Sequence, residues 1–181
     1  MAPTRILYVV TEDWYFLSHR LPMARAAKAA GYEIHVATRL NQGKEAIEAE
    51  GFTPHALTWQ RGSLSPTHSL AGVAELRKLL REIKPDILHN ISLKPVLLGG
   101  IASIGLSSIA VVNSLTGLGT LFVGNHRKSE LTRPLVVAAL RALLKRQGSR
   151  TIVQNPDDKR FVLGLGVPEA SVELIPGSGV D

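Results

Sequence analysis

Short apolar runs alternate with helix-patterned segments along the whole of this 181-residue chain. No other feature narrows the fold as much. An unbroken apolar run suits a strand covered on both faces, and helices between such strands make the crossovers that keep them parallel. Strands are predicted at residues 6–10, 33–38, 52–57, 87–90, 109–113, 151–154 and 172–175. The first helix is expected to follow an N-cap at Ser18 and stop at Gly31, with Pro22 in its first turn. Further helices are predicted at 44–50, 70–83, 95–104 and 131–147, and a last one starts at Pro156 with Asn155 as N-cap. Residues 11–17 read as a polar and aromatic loop, and residues 62–68 as one rich in Ser, Pro, Thr and Gly. The expected architecture is α/β: one domain with a parallel sheet of about seven strands and helices on both faces.

In such a sheet ligands bind beyond the carboxyl ends of the strands, where the strand order reverses. That rule nominates the loops after Val10, Asn90 and Asn113 before any chemistry is considered. Several familiar chemistries are absent. The turn Thr11-Glu12-Asp13-Trp14-Tyr15-Phe16 holds no glycine, so no GxGxxG turn exists for a nicotinamide or flavin dinucleotide. There is no GxxxxGK[ST] phosphate loop, and Ser107 and Ser108 form no GxSxG elbow. The six His show no HExxH or comparable spacing, and Cys is absent, so neither a structural metal nor a disulfide is expected. An apolar content of 45% excludes a disordered chain.

The formal charge of +6 is unevenly placed. Residues 1–90 carry eleven basic and nine acidic side chains, whereas residues 120–160 carry nine basic and three acidic. A local excess of that size suits a polyanionic partner, although a solvated basic face gives the same count. The uncharged stretch 95–121 is broken by Gly99, Gly100, Gly105 and Gly117, which fits a helix and a buried strand better than a membrane span. No secretory signal is expected, because the apolar run 6–10 is short and leads into Glu12 and Asp13. A soluble or peripheral protein follows.

Candidate binding residues concentrate in the nominated loops. Ser18, His19 and Arg20 follow the first strand's loop, where an Arg fork and an imidazole suit an anionic or hydroxyl-rich ligand. His89 ends the fourth strand and Lys94 stands just beyond it, in place for a phosphate or sugar diphosphate; an ordinary exposed lysine is the plainer alternative. Thr116-Gly117-Leu118-Gly119 follows the fifth strand, and its glycines would let backbone N–H groups approach a ligand. His35, inside a strand, reads as structural. A membrane-facing surface is suggested by Phe122, Arg127 and Lys128, and by Arg141 and Lys145 four residues apart on the helix beyond; core packing with a basic edge explains the same pattern.

At these residues the sequence resembles the N-terminal half of GT-B glycosyltransferases of the family-four type, in particular bacterial enzymes that extend lipid-linked oligosaccharides. The resemblance rests on an ordered set of segments. These are Trp14-Tyr15-Phe16-Leu17-Ser18-His19-Arg20-Leu21-Pro22, Gly31-Tyr32-Glu33-Ile34-His35-Val36-Ala37-Thr38 and His89-Asn90-Ile91-Ser92-Leu93-Lys94-Pro95. Asn113-Ser114-Leu115-Thr116-Gly117-Leu118-Gly119, Val153-Gln154-Asn155-Pro156-Asp157-Asp158 and Leu174-Ile175-Pro176-Gly177-Ser178-Gly179-Val180-Asp181 complete it. It implies one Rossmann-like half of a two-domain enzyme: residues 1–181 receive the acceptor, and a donor domain follows residue 181. The implied reaction moves a sugar from a nucleotide-sugar co-substrate with retention and without a metal or other cofactor. The implied acceptor is a saccharide on undecaprenyl diphosphate at the cytoplasmic face of the plasma membrane, where an anionic surface would meet the basic stretch. The substrate-binding set is then Ser18, His19, Arg20, His89, Lys94, Thr116, Gly117 and Gly119, and the acidic pair of the family belongs to the donor domain.

The chain departs from many relatives in two places: residues 12–17 lack the Gly-rich loop, and Thr116 stands where a His is common. Both departures argue against donor contacts from these residues, and, with the acidic pair in the donor domain, the 181 residues alone are expected to be inactive. Two other functions compete. A self-contained domain could bind a phosphorylated small molecule without catalysis. Nucleic-acid binding fits the charge, but residues 123–160 contain no aromatic side chain for stacking, so a nucleic-acid partner is not expected.

Overall fold

The computed structural model of the chain describes residues 3–59, 66–118 and 127–177. Its strands are β1 (Arg5–Glu12), β2 (Glu33–Arg39), β3 (Thr53–Ala56), β4 (Ile87–Ile91), β5 (Ala110–Leu115), β6 (Ser149–Val153) and β7 (Val172–Leu174). They form one parallel sheet in the order β3-β2-β1-β4-β5-β6-β7. The chain builds outward from β1 on one side, then returns to lay β4 on the other, so the order reverses between β1 and β4. Helices α1 (Asp13–His19), α2 (Leu21–Ala29), α3 (Lys44–Ala49), α4 (Pro66–Ile83), α5 (Leu93–Ala102), α6 (Arg127–Leu144) and α7 (Pro156–Gly164) occupy the crossovers. This is the Rossmann-like α/β architecture that the alternating pattern predicts.

Successive side chains of the sheet enter different cores. Ile6, Tyr8 and Val10 join Ile34, Val36, Phe16, Ala24 and Ile47 under α1, α2 and α3. Leu7, Val9 and Leu88 join Leu76, Leu80 and Leu98 from α4 and α5 on the opposite face. With both faces covered, an apolar residue at every position of β1 removes area from water, at about 25 cal/mol per Å². A third core packs α5, α6 and α7 on Leu115, Val153 and Val172. There the covering is one-sided. Ser149, Thr151 and Val153 of β6 are buried, whereas Arg150 is exposed and Ile152 only half-buried.

A buried polar row crosses the strands beneath α5. Asn90 Nδ2 donates to Asn113 Oδ1 at 3.1 Å, and Asn113 Nδ2 donates to Ser149 Oγ at 3.0 Å. Helix α5 lies directly on this row. A Cβ at Gly99 would sit 2.0 Å from Asn90 Oδ1, and one at Gly100 would sit 2.9 Å from Leu143 Cδ1 of α6. The paired glycines that interrupt the uncharged stretch therefore serve close packing of α5 on β4 and α6. No helix among the described residues is long and apolar enough to cross a membrane.

The first crossover differs from its sequence prediction. Residues 11–17 are not a loop: β1 continues to Glu12 and α1 starts at once. Ser18 is therefore not an N-cap but lies in the last turn of α1, with its hydroxyl donating to the Trp14 carbonyl at 2.7 Å. Asp13 supplies the N-terminal acceptor instead, receiving the Trp14 N–H at 2.8 Å. Pro22 then explains the break: it has no N–H to give the Ser18 carbonyl four residues back, so the α1 ladder cannot continue through it. The chain turns at Arg20 (φ −124°, ψ −9°) and restarts as α2. Helices α4 and α5 likewise begin earlier than predicted, each with a proline in or at its first turn. Asn155 caps α7 as expected, accepting the Asp158 N–H at 2.8 Å.

Candidate functional site

Where α1 meets α2, the chain faces the uncovered side of β5 and β6. His19, Arg20, Pro22 and Met23 form one wall of a groove, and Ser114, Ile152, Gln154, Ile175 and Pro176 form the other. Its volume is about 260 Å³. Every residue of the second wall comes from the carboxyl end of β5 or β6 or from just beyond β7, the edge at which parallel sheets hold ligands.

Arg20 is the charged group of this groove. Its Nη2 donates to the Tyr15 hydroxyl at 3.4 Å, and the guanidinium lies 5.9 Å from the centre of the Tyr15 ring. Its Nε is buried without a hydrogen-bond partner. Among the described residues no carboxylate pairs with it. A guanidinium without a counter-charge on the wall of a largely apolar groove is suited to an anionic oxygen. His19 completes that wall. Its ring stacks on Tyr15 with centres 4.5 Å apart, and its Nδ1 lies 2.6 Å from Ser18 Oγ. With the Ser18 proton given to the Trp14 carbonyl, Nδ1–H of His19 is the donor of that pair. Nε2 is then left as an acceptor.

His89 lies under the groove rather than in it. It is buried, and its Nε2 is 2.7 Å from Ser114 Oγ. Burial, reinforced by the nearby Arg20 charge, pushes its pKa down to about 3, so the ring is neutral at physiological pH. It reaches the groove only through Ser114.

Lys94 belongs to a different cluster at the reversal between β1 and β4. Its Nζ lies 5.6 Å from the centre of the Trp59 ring, and Trp59 is 4% exposed. Burial lowers the Lys94 pKa, with the Glu12 charge opposing that shift. Glu12 is itself buried, 3.6 Å from Arg39 Nη1 and accepting from Asn41 Nδ2 at 3.1 Å. Beside it Asp13 receives the Asn41 N–H at 2.6 Å and the Gly43 N–H at 2.8 Å. Burial alone would raise the Asp13 pKa, but these backbone bonds together hold it below the usual carboxylate range. The two acids tie β1 to the loop after β2, and a Cβ at Gly43 would meet Asp13 Cβ at 2.9 Å.

The remaining expected residues are spread more widely. Gly117 has φ +79°, which favours glycine, and the Leu118 N–H reaches Asp158 Oδ2 at 3.4 Å, tying the Thr116–Gly117 turn to α7. Gly119 and Phe122 lie outside the described residues, as do the side chains of Arg127 and Lys128. Arg141 on α6 and Lys145 just past its end are exposed. His35 is structural as expected, bridging His55 Nε2 and Glu33 Oε1 at 3.0 Å each. No group of three or more metal-ligating side chains occurs among the described residues.

Thus the structure brings His19 and Arg20 together in one groove with Ser18 behind them. It sets His89 beneath and keeps Lys94 with Trp59. Sequence reasoning did not single out Ser114, Gln154 or Ile175 as groove residues. Ser114 and Gln154 had a signal as polar positions at the carboxyl ends of β5 and β6; Ile175, just past β7, had none.

Residues 5–153 match the family model described as glycosyl transferase 4-like. Among solved structures, a glycosyltransferase from Rickettsia africae is 12% identical, with a TM-score of 0.65 over 97% of this chain and 43% of that one. Anabaena HepE in complex with UDP-glucose is 16% identical, with a TM-score of 0.61 over 97% and 44%. The UDP-GlcNAc 2-epimerase of Methanocaldococcus jannaschii is 18% identical, with a TM-score of 0.64 over 97% and 45%. At these identities the likeness is one of fold, and the chain spans less than half of each of these proteins. No curated protein matches the chain.

Proposed function

The chain belongs to the glycosyl transferase 4-like family, and from that premise we propose that it is the acceptor-side domain of a retaining glycosyltransferase. In this reading a donor domain supplies the nucleotide-sugar and the acidic catalytic pair, and no metal takes part. The acceptor is a saccharide carried on a lipid diphosphate, undecaprenyl diphosphate in a bacterium, during glycan or polysaccharide assembly. The observation that supports this most directly is Arg20, a guanidinium with no carboxylate partner among the described residues on the wall of an otherwise largely apolar groove. The diphosphate binds there, His19 Nε2 and Gln154 take hydroxyl groups, and Ser114 is held in place by neutral His89.

The same reading puts the protein at the inner face of the plasma membrane, with exposed Arg141 and Lys145 toward anionic lipid. Binding to phosphatidylglycerol vesicles should fall when Arg127, Lys128, Arg141 and Lys145 are changed to Ser, and unchanged binding would refute that placement. The acceptor assignment is tested by calorimetric titration with a short-chain prenyl-diphosphate saccharide and, separately, with UDP-sugars. Binding of the first and not the second is expected, with R20A weakening it at least tenfold. Tight binding of UDP-sugars with none of the prenyl-diphosphate saccharide would overturn the assignment.

A further inference from the structure

The groove is small for its proposed ligand. At about 260 Å³ it falls below the usual range of ligand pockets, roughly 300–1,000 Å³. It can hold a diphosphate or one sugar ring, and whatever adjoins that group must lie on the rim. The rim beside His19 has a distinct chemistry. His19 stacks on Tyr15 at 4.5 Å with 14° between the planes, and Trp14 stands against Tyr15 edge-on at 5.9 Å. A continuous aromatic row therefore leads from the groove wall outward along α1. Its last member, Trp14, is 48% exposed.

A half-exposed indole on a short, well-anchored helix is an unusual expense. Asp13 fixes the first turn through three backbone N–H groups, and Phe16 on the opposite side of the helix is fully buried. The indole face is thus held in place. Polar groups lie along the same helix: Ser18 Oγ, bonded to the Trp14 carbonyl and to His19, and the Tyr15 hydroxyl with its Arg20 partner. A rigid aromatic face beside hydroxyl and imidazole groups matches a pyranose ring, which offers an apolar C–H face and equatorial hydroxyls at its edge. A lipid surface would instead be met by an apolar surround.

We infer that Trp14, with Tyr15 and His19, forms a stacking platform for a sugar ring of the acceptor saccharide. Trp14 is then a determinant of acceptor specificity: it favours rings with an unbroken C–H face and penalises those with an axial hydroxyl on the stacked side. This inference rests on the acceptor reading above and adds to it the place where the saccharide, as opposed to the diphosphate, is held.

The test uses the chain labelled with ¹⁵N and titrated in separate arms. The probes are methyl glycosides of glucose, galactose, mannose and N-acetylglucosamine, inorganic diphosphate, and phosphatidylglycerol vesicles. Its two tryptophans, Trp14 and Trp59, give distinct indole N–H signals. Glycosides should shift the Trp14 signal and leave that of buried Trp59 in place. W14A should weaken glycoside binding about three- to tenfold, the range of one aromatic contact, while W14F retains most of it. Diphosphate binding should be the same in W14A as in the parent chain. Should W14A fold poorly, W14F and the parent signal shifts still decide the matter. Glycosides that bind the groove without moving Trp14 overturn the inference and leave the acceptor reading standing. Trp14 responding to vesicles and to no glycoside also overturns it, in favour of a lipid contact. If neither glycosides nor diphosphate bind, both fall.

Discussion

The two halves of the sheet solve different problems. From β2 to β4 both faces carry helices, every residue of β1 from Ile6 to Val10 is buried, and the side chains have no freedom to serve a ligand. From β5 to β7 only one face is packed, so alternate residues such as Arg150, Ile152 and Gln154 stay within reach of solvent. The groove lies along the seam, with one wall from the covered half and the other from the open half. The comparison teaches that the polar chemistry of the covered half is sealed: Glu12, Asp13 and His89 are buried and serve position rather than contact.

The strongest way to break this contrast is acid. His89 titrates near 6.5 when unfolded and at about 3 when folded. Between those values the unfolded state binds more protons, so stability falls as pH drops from 6.5 toward 3. The slope is about 1.4 kcal/mol per pH unit from this residue alone. His55, also lowered by burial, adds in the same direction. Denaturant titrations across that window should show the decline, and H89Q should flatten it; equal slopes in both proteins would mean that His89 is not sealed.

A second test works from the covered face. G99A drives a methyl group into Asn90 and should cost about 3 kcal/mol, the upper range of overpacking, as measured by urea unfolding. G31A, where nothing lies within 4 Å, meets only its positive φ and should cost less. Third, R20A should weaken inorganic diphosphate binding by about ten- to a hundredfold, since hydrogen bonds to charged groups contribute about 1.5–3 kcal/mol, with little change in melting temperature. The smallest effect is expected at Lys94. Its ammonium belongs to the Trp59 cluster, so K94M should change diphosphate affinity less than threefold by calorimetry; a loss matching that of R20A would join the two clusters into one site.

The fold was legible because both-face burial writes itself as runs such as Ile6-Leu7-Tyr8-Val9-Val10, and the one-sided burial of β6 still carries enough apolar residues to be seen. The first crossover was not, since Ser18 and Pro22 imitate a helix start while the true start depends on Asp13 and on backbone groups of Asn41 and Gly43 far along the chain. The site was half legible. Arg20 and His19 stand out as types at a nominated loop. The wall opposite them is built from Ser114, Gln154 and Ile175, whose proximity to Arg20 arises only when β4 is laid beside β1. Lys94 shows the limit in reverse: four residues from Asn90 in the chain, it is directed by α5 toward Trp59.

The Asn90–Asn113–Ser149 row has a consequence for how the sheet finds its alignment. Sliding β5 or β6 by two residues would return every side chain to its own face and keep the apolar pattern satisfied, so hydrophobic burial alone cannot forbid it. It would, however, strand buried amides, each at about 1–3 kcal/mol. The row thus acts as a vernier. It distinguishes alignments that oil-and-water sorting treats as equal, and so fixes which residues of β5 and β6 arrive opposite Arg20.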